Sequence, residues 1–85
     1  MTPDRAAIAS ALLDYFQARA PDPSLRLAPE TRLLEDWFLD SIGILEAVLF
    51  LESEFGVALQ RADITAQTFE SVATLTELVA SRAGK

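Results

Sequence analysis

Apolar residues recur with the 3.6-residue period of helices in three stretches of this chain, and no stretch alternates in the manner of a strand. In the first, Ile8, Leu12, Tyr15 or Phe16 and Arg19 fall at helical spacing, with Arg5, Asp14 and Gln17 largely outside the stripe. Thr2-Pro3-Asp4 predicts its start, with Thr2 as N-cap, Pro3 at the first helical position and Asp4 against the positive end of the dipole. Pro21 and Pro23 end it. In the second stretch Asp40 caps a helix beginning at Ser41, Ile42, Leu45, Val48, Leu49, Leu51 and Phe55 supply the apolar positions, and Gly56 stops it. These positions exceed one narrow stripe, so Ile44, Leu49 or Phe50 is expected to stay partly exposed. The third runs from Ser71 as N-cap through Val72, Leu75, Leu78 and Val79 to Arg82, whose charge suits the C-terminal end.

The connections carry their own signals. From Ala20 to Asp40 the chain has three prolines and no period, yet Leu25, Leu27, Leu33, Leu34, Trp37 and Phe38 are too apolar for a free linker. The expectation is a long loop pinned to the core, with Trp37 and Phe38 as its anchors or, alternatively, as partner contacts. Arg61-Ala62-Asp63-Ile64 reads as one helical turn within a connection. Residues 1–85 are therefore expected to form a single all-α domain with one core.

Composition narrows the chemistry. The chain has neither cysteine nor histidine, which excludes disulfides, thiol nucleophiles, imidazole bases and the usual zinc ligands. A formal net charge of −6, with the basic residues scattered, disfavours nucleic acid and suits basic protein partners. The apolar run Ala47 to Leu51 is far too short to span a membrane, and no basic-then-apolar signal follows Met1, so a cytoplasmic monomer is the expectation.

One constellation remains. Glu35-Asp36-Trp37-Phe38-Leu39-Asp40-Ser41-Ile42-Gly43 leads from the loop into an amphipathic helix bearing Glu46, Glu52 and Glu54, which puts Ser41 at a helix N-terminus. Unpaired amides and the positive end of the dipole there favour an attached anion. A nucleophilic role would need a positioned base, and there is no histidine and no Ser-x-x-Lys arrangement. A plain helix-start serine in a helical adaptor is the other alternative.

Asp40-Ser41-Ile42, followed by Glu46, Val48, Leu51-Glu52 and Glu54-Phe55-Gly56-Val57, resembles the Asp-Ser-Leu helix of acyl carrier proteins. The resemblance extends through Thr68 to Val79 and covers most of the chain. It implies a four-helix bundle with a short third helix and a long loop between helices one and two. It also implies a carrier that is not an enzyme and binds no metal, with 4′-phosphopantetheine attached to Ser41 beside the flanking Asp40. The arm would be installed from coenzyme A by a phosphopantetheinyl transferase and would hold acyl or aminoacyl intermediates as thioesters. By the same resemblance Ile42, Glu46, Leu49 and Glu52, with Ile44 alongside, face the partners: transferase, acyl- or aminoacyl-adenylating ligase, acyltransferase or ketosynthase.

Three departures separate the chain from fatty-acid carriers. No glycine precedes Asp40-Ser41, where Trp37-Phe38-Leu39 stands and Gly43 follows instead. Arg61 interrupts a region that is usually acidic, and Phe50 fills a position that is often small. The approach to Ser41 is similar to that of stand-alone carriers of D-alanyl, other aminoacyl or polyketide intermediates, and lacks the Gly-Gly-His-Ser pattern of peptidyl carriers. A specialised biosynthetic pathway is expected, with bulk fatty-acid synthesis as the alternative.

Overall fold

The computed structural model describes residues 4–37 and 39–83. Among them are three α-helices, α1 (Arg5–Ala18), α2 (Ser41–Phe55) and α3 (Val72–Ala83), and one 3-10 turn, Arg61–Asp63. What the resemblance implies as a short third helix is thus a single 3-10 turn, and four α-helices are not formed among the described residues.

Helix α1 starts later than the Thr2 cap predicts. Asp4 is its N-cap, with extended backbone and a side chain that accepts from the Ala7 amide at 2.7 Å. An aspartate satisfies an orphan amide as well as a threonine does and adds a favourable charge at the dipole. Thr2 and Pro3 lie outside the described residues. The buried face of α1 is Ile8, Leu12, Tyr15 and Phe16. Arg19, at stripe spacing, is instead the exposed C-cap, with its guanidinium 4.0 Å from the centroid of the Tyr15 ring. That placement keeps the charge in water while the cation meets the aromatic face.

Gln17, assigned to the polar side, staples the long loop. Its amide donates to the Leu25 carbonyl at 2.8 Å and accepts from the Leu27 amide at 3.0 Å. Trp37 anchors the far end, buried and donating from Nε1 to the Phe16 carbonyl at 3.2 Å. Burial leaves Trp37 little to offer a partner, so the anchor reading holds for it; Phe38 lies outside the described residues. Leu33 is fully buried, its amide donates to the Glu70 carbonyl, and the Ala73 amide donates to the Pro29 carbonyl. The loop is therefore hydrogen-bonded to the chain that leads into α3.

Helix α2 is capped by Asp40 and ends at Gly56, whose φ of 65° is left-handed. It buries Ala47, Val48 and Leu51. Leu45, expected among the core positions, is 59% exposed, and the small Ala47 occupies the core instead. Tyr15 stacks on Phe50 with centroids 4.1 Å apart, joining α1 to α2, and Phe55 meets Phe50 edge-on. Phe50, one of the departures from the fatty-acid pattern, thus has a packing role.

Ser71 precedes α3 and pairs reciprocally with Thr74: the Thr74 amide donates to Ser71 Oγ and the Ser71 amide to Thr74 Oγ1. Val72, Leu75, Thr76 and Val79 are buried, while Leu78 is only half-buried. Phe69, just before the helix, is fully buried and closes the core. Burial of a side chain of that size contributes about 1.5–3 kcal/mol. Arg82 does not serve the helix end alone; it pairs with Asp63 in the 3-10 turn.

Candidate functional site

Ser41 is the first residue of α2 and is exposed. Local chemistry fixes that position. The Asp40 side chain accepts from the Gly43 amide at 2.8 Å and its carbonyl from the Ile44 amide at 2.8 Å. The amides of Ser41 and Ile42 have no intrahelical partner at this end, so the tip keeps a positive field. Among the described residues Ser41 Oγ has no hydrogen-bond partner, and the residue is open to solvent.

Beside Ser41 lies an exposed apolar face. Ile42 is 68% exposed and Leu45 and Leu49 are each 59% exposed. At i, i+3 and i+7 they share one side of the helix. Across from it stands Ile64, also exposed. Ser41, Ile44, Leu45, Val48 and Ile64 line a recess of about 400 Å³ between α2 and the segment after the 3-10 turn. Leu45 and Ile64 were missed in the sequence because Leu45 shares its spacing with the core residues and Ile64 belongs to no periodic element.

The acidic residues differ in their freedom. Glu46 is exposed and, among the described residues, without a hydrogen bond or ion pair. Glu52 is half-buried, and its carboxylate accepts from the Leu59 amide at 3.1 Å, tying the end of α2 to the next connection.

On the other flank of α2, a recess of about 280 Å³ opens between α1, the long loop and the helix tip. Tyr15, Arg19, Trp37, Asp40, Gly43 and Glu46 are among its lining residues. Burial pushes the Tyr15 phenol above its ordinary value; Arg19 pulls it the other way and Glu46 adds to the rise. A Cβ on Gly43 would come within 2.7 Å of Leu39 Cδ1 and 3.3 Å of Asp40 Oδ1, so a side chain there would make the end of the Leu39 side chain shift.

Among the described residues no group of three or more acidic side chains could hold a metal ion, and no helix is long and apolar enough to cross a membrane. The exposed hydroxyl and the free amides suit a covalently attached anionic group. The profile of a family described as the phosphopantetheine attachment site matches residues 10–80. A search of curated proteins found no significant match.

Proposed function

The chain belongs to the phosphopantetheine attachment-site family, whose members carry 4′-phosphopantetheine and are carriers, not catalysts, and from that premise we propose that Ser41 is its attachment point. The observation that carries the assignment is an exposed serine hydroxyl, free of partners among the described residues, at the capped N-terminus of α2. The tip of the helix stabilises a phosphodiester there through its unpaired amides. Asp40 holds the tip in shape through Gly43. When bound, the group supplies a thiol that holds the cargo as a thioester.

In this reading the exposed face of Ile42, Leu45 and Leu49 docks on partner enzymes, and Glu46 and Glu52 steer basic surfaces toward it. Glu46 has the freer carboxylate, because that of Glu52 is engaged by Leu59. The partners are a phosphopantetheinyl transferase and the enzymes that load and process the cargo: an acyl- or aminoacyl-adenylating ligase, an acyltransferase or a ketosynthase. The protein acts as a cytoplasmic monomer in a specialised biosynthetic pathway. That last step rests on the sequence around Trp37-Phe38-Leu39 and on Arg61, since the packing of Phe50 against Tyr15 gives Phe50 a structural reason of its own.

The test is intact-mass spectrometry after incubation with coenzyme A and a broad-specificity transferase. The protein is expected to gain one arm and Ser41→Ala none. Modification of the Ser41→Ala protein would refute the site.

A further inference from the structure

Two recesses flank the tip of α2, and their linings differ in kind. Around Leu45 and Ile64 the recess is apolar apart from Ser41 itself. The recess between α1 and α2 sets the carboxylates of Asp40 and Glu46 and the guanidinium of Arg19 around the rings of Tyr15 and Trp37. We propose that this mixed recess is the resting seat of the phosphopantetheine arm, an inference that rests on Ser41 being the attachment point.

The arm is amphipathic. It carries two amides, each with a donor and an acceptor, a hydroxyl and a geminal pair of methyl groups. Laid in the apolar recess, its amides would meet no polar side chain but Ser41 itself, so whatever water they lost would go unreplaced. The mixed recess answers each part. Glu46 has no partner among the described residues, and the Asp40 oxygen not used by Gly43 is also available, so both accept from amide N–H groups. Arg19 donates one N–H to the Tyr15 carbonyl and has others left for the arm's carbonyls. Tyr15, Trp37 and Leu39 give the methylene carbons around the second amide an apolar wall, while the geminal methyls, close to the phosphate, stay at the tip.

Reach decides whether the seat is usable, because Ser41 lines the opposite recess. The arm has about as many chain bonds as five residues and spans about 17 Å when extended. The helix it must round is about 10–12 Å across with its side chains. The arm can therefore cross the tip and still lie along the α1 side. Gly43 and Leu39 both line this side, and a Cβ on Gly43 would push the end of the Leu39 side chain from its place in the wall. An arm seated here leaves Ile42, Leu45 and Leu49 uncovered for docking.

The experiment is isotope-filtered NMR on holo protein bearing a carbon-13-labelled arm. Expected are cross-relaxation signals from the methylenes around the second amide to the ring protons of Tyr15 and of Trp37, the only tryptophan in the chain. Arg19→Gln, a change at an exposed side chain, and Gly43→Ala should each weaken or abolish the signals; if Gly43→Ala disturbs the apo spectrum, Arg19→Gln decides alone. Signals to Leu45, Val48 or Ile64 in their place, none to the protein, or signals unchanged by Arg19→Gln would overturn the proposal. Failure of the mass to rise would overturn both this inference and the attachment reading, and so is distinct from failure of the seat.

Discussion

The Arg82 guanidinium rests on the Asp63 carboxylate, joining α3 to the 3-10 turn nineteen residues earlier in the chain. Asp63 is a buried acid in this small core, and its second oxygen accepts from the Gln60 amide at 2.9 Å. The hydrogen bond from Arg82 and then that from Gln60 hold the Asp63 carboxyl below its ordinary value, against the opposing effect of burial.

A folded-state pKa below the unfolded one gives stability that is present above the ordinary aspartate value of about 4 and is lost as pH falls through the folded value. Asp63→Asn is therefore expected to lower the midpoint of thermal unfolding by several degrees at pH 7 and to flatten its fall between about pH 5 and pH 2. A profile with the same slope as the parent protein would refute this role. Arg82→Ala should resemble it at neutral pH, because it leaves the buried carboxylate without its cation.

Gly56 ends α2 with φ 65°. No atom lies within 4 Å of a Cβ built there, so the cost of adding one is conformational and not steric against neighbours. Gly56→Ala should destabilise by about 1–2 kcal/mol in urea unfolding, and Gly56→Asn by less, since asparagine tolerates the left-handed region better. Equal losses for the two would contradict the backbone explanation.

On the exposed face of α2, stability and partner binding should separate. Leu45→Ala and Leu49→Ala are expected to change stability by no more than about 0.5 kcal/mol, as befits exposed positions. Both should raise KM for arm transfer. Glu46→Lys should slow transfer most at low salt, where screening is weakest. Loss of stability comparable to a core truncation would show that this face is packed and not presented.

The 3.6-residue period placed α2 and the apolar positions of α3, and Asp40, Gly56 and Ser71 marked their ends, because capping and periodicity act within about one turn of the chain. Ser41 at a helix tip was legible for the same reason. The sharing-out of α2's apolar residues was not. Leu45 and Ala47 are both compatible with the pattern, and only the positions of α1, α3 and the loop expose one and bury the other.

The sequence by itself thus determined an all-α chain, its capped second helix and the exposed serine at that helix's start, since each follows from neighbours a few residues apart. The tertiary structure alone decided that Gln17 staples the loop, that Asp63 meets Arg82, and that Tyr15, Trp37 and Gly43 share a recess with Asp40 at the tip of α2. Those pairings join residues from separate segments, and no local preference selects a partner that only the packing of the core brings near.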